Sequence, residues 1–226
     1  MKEASRTRIA FIVPSFPKLT EPSIVSKFLG LLDRGWDVFV VCVNSDPVEW
    51  SKFSELQGRK DARARVYTVW PRQPHWLALL LLPVALVHCL VRNPAGVARY
   101  LRRGWRHFGL DVLRRLYRDH RLVCLCPDVV HFVFGTLAVE QIYVRELLGY
   151  KVVVSFRGYD LNFSGLDTPD YFQEVWKEAD ALHLLGKDLW CGHSCVVVRR
   201  TNFTCSFHPP LTRPSLTPLI ACMRKW

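Results

Sequence analysis

Five short runs of apolar, mostly β-branched residues punctuate the chain up to Phe156, and they constrain its fold more than any other feature. They are Arg8–Val13, "VFVVCV" (Val38–Val43), "ARVYTV" (Ala64–Val69), "VVHFVF" (Val129–Phe134) and "KVVVSF" (Lys151–Phe156). None alternates cleanly between apolar and polar residues. Each therefore predicts a strand covered on both faces, as in a parallel sheet. Helix patterns fall between them. Ile24, Phe28, Leu31 and Leu32 share a face, with Gly35 as the stop. "AVEQIYVRELLG" predicts a helix ending at Gly149, and "PDYFQEVWKEAD" predicts another, capped by Asp167 and Thr168. This alternation points to a doubly wound, mostly parallel α/β lobe of Rossmann-like type.

The formal net charge of +11 favours an anionic partner: a phosphate-bearing ligand, an acidic membrane surface or nucleic acid. "MKEASRTR" lacks the apolar core of a secretory leader. Cys42, Cys89, Cys124 and Cys126 form no paired CxxC pattern and read as reduced thiols of a cytoplasmic protein. No spacing suggests a metal site.

Residues 76–121 read as a helical, basic insert. Trp76–Val91 is very apolar, short for a membrane crossing, and predicts a buried or interfacial helix pair. Arg92–Arg121 carries nine arginines against two aspartates, with an apolar side at near-helical spacing and a break expected near Gly104 or Gly109. Arg99, Arg102, Arg103, Trp105, Arg106, Arg114 and Arg115 would face an anionic lipid surface, or else form a solvated helix face. Aromatic and basic residues interleave only across Arg99–Arg121, which disfavours nucleic acid. The loop after the first strand has no GxGxxG, which argues against a dinucleotide-dependent dehydrogenase.

From Leu189 to Trp226 there is no aspartate or glutamate, and cysteines, prolines and arginines scatter without period. Residues 191–226 therefore read as an irregular tail. Regrouping its possible codons by one base permits "DKLHMLIPP" and then "ADPSFFDPLDRVHEEV", text with balanced charge. A shifted reading frame near Trp190 is the expectation.

Ligands of an open parallel sheet sit beyond the carboxyl ends of its strands. Three loops meet that description. "PSFPKLTE" offers Ser15, Phe16, Lys18, Thr20 and Glu21; "HFVFGT" offers Gly135 and Thr136 after the strand carrying His131; "SFRGYDLNF" offers Arg157, Gly158, Tyr159 and Asp160. Together they suit a hydroxyl-rich or phosphorylated ligand, with Asp160 accepting from sugar hydroxyls and Arg157 pairing with phosphate. His131 alone reads as a core histidine, and Tyr159–Asp160 as a local cap.

"IAFIVPSFPKLTEPSI", "PDVVHFVFGT", "VVVSFRGYDL" and "EADALHLLGKDL", in this order, resemble family 4 glycosyltransferases of the exopolysaccharide and colanic-acid type. The resemblance covers about residues 6–190. It implies the N-terminal, acceptor-side domain (1–190) of a GT-B enzyme that transfers a hexose from a nucleotide-sugar with retention. The implied partners are a glycan or lipid-linked acceptor and a separate donor-binding domain. The nucleotide-sugar would belong to the intact enzyme, with no cofactor on this chain, and the setting would be cytoplasmic, peripheral to the inner face of the membrane. Where many members carry a histidine near the transferred sugar, this chain has Arg157. Arg157 and Asp160 are thus the candidate catalytic residues. The rival expectation is a stand-alone binding module for an anionic glycan, lipid carrier or membrane surface.

Overall fold

The computed structural model describes residues 7–69, 75–165, 167–168, 170–184 and 206–207. The expectation for 191–226 lies outside the described residues, apart from Ser206–Phe207. So do the last residues of "EADALHLLGKDL".

The elements run β1 (Arg8–Ser15), α1 (Pro22–Asp33), β2 (Asp37–Asn44), α2 (Pro47–Ser51), α3 (Lys60–Arg63), β3 (Val66–Thr68), α4 (His75–Arg92), α5 (Pro94–Phe108) and α6 (Asp111–Leu125). They continue with β4 (Val129–Phe132), α7 (Gly135–Gln141), α8 (Val144–Leu148), β5 (Lys151–Phe156), α9 (Gly158–Phe163), α10 (Gln173–Glu178), β6 (Ala181–Leu184) and β7 (Ser206–Phe207). The strands form one sheet in the order β3-β2-β1-β4-β5-β6-β7, and every pairing is parallel. The sequence reading had not marked Ala181–Leu184 as a strand. Its four residues include His183, and all four are buried.

The missing alternation of the strands has its counterpart in two cores. Ile9, Phe11 and Val13 pack on one face with Val38, Val40 and the α1 residues Ile24, Val25 and Phe28. Ala10 and Ile12 pack on the other with Val130, Phe132, Val152 and Val154, under residues of α4, α5, α6, α7 and α8. Consecutive strand residues thus enter opposite cores, which is why both must be apolar.

Three helix boundaries differ from expectation, and a fourth resolves an alternative. Trp76–Val91 lies in one continuous helix, α4, instead of a pair. Pro83 sits inside it but on the exposed side, where water can satisfy the carbonyl that proline frees. Of the two expected break points in the basic stretch, the break falls at Gly109, whose φ is +52°, and not at Gly104. Gly104 lies inside α5 at its approach to α6: a Cβ there would come within 2.4 Å of Val112 Cγ2. "AVEQIYVRELLG" divides into α7 and α8, and Tyr143 at the division donates its hydroxyl to Asp119 Oδ2 at 2.6 Å. The last helix begins at Gln173, because Asp170 adopts φ +65°, which a helix cannot contain.

Among the described residues, no helix is long and apolar enough to cross a membrane. The four described cysteines are free thiols.

Candidate functional site

Strand order reverses direction between β1 and β4, so the loops after β1, β4 and β5 share one rim of the sheet. The β1–α1 loop is anchored from within. Phe16 is buried, meets the rings of Phe28 and Trp50 edge-on, and donates its backbone N–H to Asn44 O at 3.0 Å; the Phe16–Pro17 peptide is cis. With that anchor inside, Lys18, Leu19 and Thr20 are held outward. Leu19 N donates to Glu49 Oε2 at 2.9 Å, joining this loop to α2. Between the two loops lies an open cleft of about 820 Å³, lined by Ser15, Lys18, Thr20, Asn44, Ser45 and Asp46 among others. The sequence reading missed the β2 side of this cleft. The signal was the position of "NSD" at the end of a strand that pairs with β1.

The β4 and β5 loops are tied together by one carboxylate. Asp160 is fully buried. Its Oδ1 accepts from Thr136 N and Thr136 Oγ1, each at 3.3 Å, and its Oδ2 accepts from Arg157 N at 3.0 Å. Its oxygens are thus engaged within the protein. Gly135 is required by the same packing: a Cβ there would sit 2.4 Å from Cε1 of Phe156, whose ring stacks on Trp176 at 4.3 Å. Gly158 opens α9. Tyr159 and Phe163, both 68% exposed, stack at 5.8 Å and offer an aromatic platform on that helix. Phe163 was not among the sequence candidates.

The electrostatics concentrate between β1 and β5. The Arg157 guanidinium lies 4.7 Å over the Phe134 ring, and its Nε is buried with no hydrogen-bond partner among the described residues. Burial lowers the Arg157 pKa, opposed by the nearby charges of Glu21 and Asp160. Glu21 pairs with Lys18 at 3.5 Å, while its other oxygen is buried and unpartnered among the described residues. Lys27, on α1, was not anticipated. Burial and then the Arg157 charge bring its pKa down to about 8. A polar row runs beneath these groups: His131 Nε2 is 2.8 Å from Ser155 Oγ, which is 3.0 Å from His183 Nδ1. Burial pushes the His131 pKa well down, with Lys27, His183 and Arg157 adding to the shift, so His131 is neutral at pH 7. The rim sets two half-buried cations, Lys27 and Arg157, near the carboxylates of Glu21 and Asp160. It can take an anion against Lys27 and Arg157 and hydroxyls in the cleft.

The seven residues assigned to a membrane face divide. Arg99 and Arg103 donate to the Leu148 and Glu146 carbonyls of α8, at 2.8 and 2.6 Å. Arg114 and Arg115 pair with Asp111, and Arg115 also lies 4.0 Å over the Phe108 ring. Arg102, Trp105 and Arg106 are exposed on α5. Leu80, Val84, Val87 and Val91 form an exposed aliphatic stripe on α4. No described group of histidines, cysteines and carboxylates could hold a metal ion.

No protein-family model matches the sequence, and no curated protein matches it. Among solved structures, a chain of sucrose-phosphate synthase from Thermosynechococcus elongatus is similar, with a TM-score of 0.52 at 11% identity, over 96% of this chain and 97% of that one. MurG of Acinetobacter baumannii aligns with a TM-score of 0.40 at 10% identity, over 81% of this chain and 42% of that one. At such identity the likeness to the synthase chain bears on fold alone, and it supports the Rossmann-like α/β fold of this lobe.

Proposed function

We propose that the chain is the acceptor-side domain of a retaining, nucleotide-sugar-dependent glycosyltransferase, of the family 4 exopolysaccharide kind, working on a glycan or lipid-linked acceptor. The observation that carries the reading is the rim itself. Half-buried cations at Lys27 and Arg157 lie near Glu21, whose partner Lys18 lines an open cleft that also offers hydroxyl, amide and carboxylate groups. A phosphorylated, hydroxyl-rich acceptor supplies the anion for the first and hydrogen-bonding groups for the second.

On this reading the donor nucleotide-sugar is held by a second lobe that residues 1–226 do not contain. Catalysis in the assembled enzyme rests on positioning and on electrostatic support of the departing diphosphate. Asp160 acts on the acceptor indirectly, by fixing Thr136 and Arg157 relative to one another. Arg157 touches the anion.

The test is calorimetric titration of the purified chain with a short-chain polyprenyl-diphosphate hexose and, separately, with nucleotide-sugars. The acceptor analogue should bind saturably, weaken at least tenfold in Arg157→Gln (a charge-assisted bond of about 1.5–3 kcal/mol), and show no turnover with any nucleotide-sugar. Sugar transfer by the chain alone, or acceptor binding indifferent to Arg157, contradicts the assignment.

A second reading, a module that binds an anionic membrane surface, is favoured by the exposed aliphatic stripe on α4 together with exposed Arg102, Trp105 and Arg106 on the next helix. It is compatible with the first, since a lipid-linked acceptor is met at a membrane.

A further inference from the structure

Away from the rim, the last turns of α4 and α6 lie side by side. α6 runs directly into the start of β4, so this corner sits toward the amino-terminal edge of the sheet. Asn93 locks it: its amide donates to Val123 O at 2.9 Å and its side-chain oxygen caps α5 at Gly96 N, 2.8 Å away. Inside the corner, Cys89 Sγ and Cys124 Sγ are 3.4 Å apart, and Cys124 Sγ is 3.5 Å from His88 Nδ1. Cys89 is buried. Cys124 opens onto a small cavity of about 90 Å³ lined by Tyr67, His88, Arg92, Arg121 and Leu125, with no carboxylate. The Arg121 guanidinium lies 5.8 Å over the Tyr67 ring, and its Nε is buried without a hydrogen-bond partner among the described residues.

We propose that Cys124 and Cys89 form a thiol–disulfide exchange site that takes an anionic low-molecular-weight disulfide of the glutathione class. Cys124 is the attacking sulfur and Cys89 the resolving one. The two roles are separated by environment. The hydrogen bond from Cys89, then Arg121 and Arg92, hold the Cys124 thiol below its ordinary pKa against the effect of burial. The same hydrogen bond and burial push the Cys89 thiol up, so Cys89 keeps the proton. The two guanidinium groups meet the carboxylates of the incoming disulfide at the cavity mouth.

The Cys124 thiolate attacks one sulfur of the small disulfide. That S–S bond breaks, and one thiol departs with the bonding electrons and takes up a proton. Cys89 then loses its proton to water and attacks Cys124 Sγ, releasing the second thiol. Two protein thiols are oxidised and one disulfide is reduced to two thiols. The sulfurs need close by only about 1.4 Å to reach a bonded separation of ~2.05 Å, and the result is a covalent clamp between α4 and α6.

The test uses the full reduced chain, folded, with oxidised glutathione or with the cationic disulfide cystamine. Non-reducing peptide mapping follows Cys124 itself, so other cysteines do not confound the reading. A Cys89–Cys124 link should form, and Cys124 should react about tenfold faster with oxidised glutathione than with cystamine, the low end of electrostatic steering. Arg92→Gln with Arg121→Gln should remove that preference. Cys89→Ser should stop at a glutathione adduct on Cys124, and Cys124→Ser should leave Cys89 unmodified. Equal rates for the two disulfides in the unaltered chain, a persistent adduct on Cys124 with Cys89 present, or a link from Cys124 to Cys126 instead, overturns the proposal.

Discussion

Replacing Asp160 by asparagine changes one atom, and its cost can be worked from three hydrogen bonds. The carboxylate accepts from Thr136 N and Oγ1 on one oxygen and from Arg157 N on the other. An asparagine amide has one acceptor. If its oxygen faces Thr136, its NH2 confronts the Arg157 N–H; if it faces Arg157, its NH2 confronts the Thr136 N–H. Either way one buried backbone donor loses its acceptor, at about 1–3 kcal/mol. The bonds that remain also lose their charge assistance, roughly halving their strength. The expected loss is about 2–4 kcal/mol, and with a urea slope near 2 kcal/mol per molar the midpoint should fall by ~1–2 M. Tryptophan fluorescence reports it, because Trp176 stacks on Phe156 directly under Gly135. A midpoint unchanged to within ~0.3 M would refute the view that this carboxylate ties the two loops together.

Lys27→Met should stabilise the chain at pH 7, by about 1–3 kcal/mol, because partly desolvating an ammonium beside the Arg157 charge is unfavourable. Its sign can be checked with pH. The native pKa of about 8 lies below the ordinary 10.5, so between those values the unfolded chain binds more protons, and Lys27 makes stability rise with pH. Thermal melts across that window should rise in the native chain and flatten in Lys27→Met; parallel curves would count against a half-buried cation there. Val84→Asp with Val87→Asp, two exposed α4 positions, should reduce sedimentation with phosphatidylserine vesicles by at least tenfold and leave the melting temperature unchanged. Unchanged sedimentation would remove the membrane reading for α4. Gly135→Ala should destabilise by about 1–3 kcal/mol through overpacking against Phe156, read by urea denaturation; a neutral effect would mean that ring can move.

The strands were legible because each must fill two cores, and so is apolar at successive positions; Lys151–Phe156 coincides with β5 from end to end. Ala181–Leu184 was missed because a four-residue run holding a histidine lacks that signature; in the structure His183 is buried with its Nδ1 3.0 Å from Ser155 Oγ on the neighbouring strand. Helix breaks were less legible: the division between α7 and α8 falls where Tyr143 donates its hydroxyl to Asp119, a distant residue of α6. The three rim loops could be placed by the rule that strand ends carry ligands. Which groups within them meet could not. Arg157 is far in sequence from Glu21 and Lys27, and nothing local to Lys27 distinguishes it from a solvated helix lysine. The Asp160 side chain likewise reads as a sugar acceptor until Thr136, on another loop, is seen to occupy it.

Hydrogen exchange of the purified chain, with and without a short-chain polyprenyl-diphosphate hexose, tests the acceptor rim most directly. Protection should be confined to residues 15–21, 44–49, 134–136 and 157–163, the loops that adjoin the cleft and the half-buried cations. Protection at the α4–α6 corner instead, or none at saturating ligand, would contradict it.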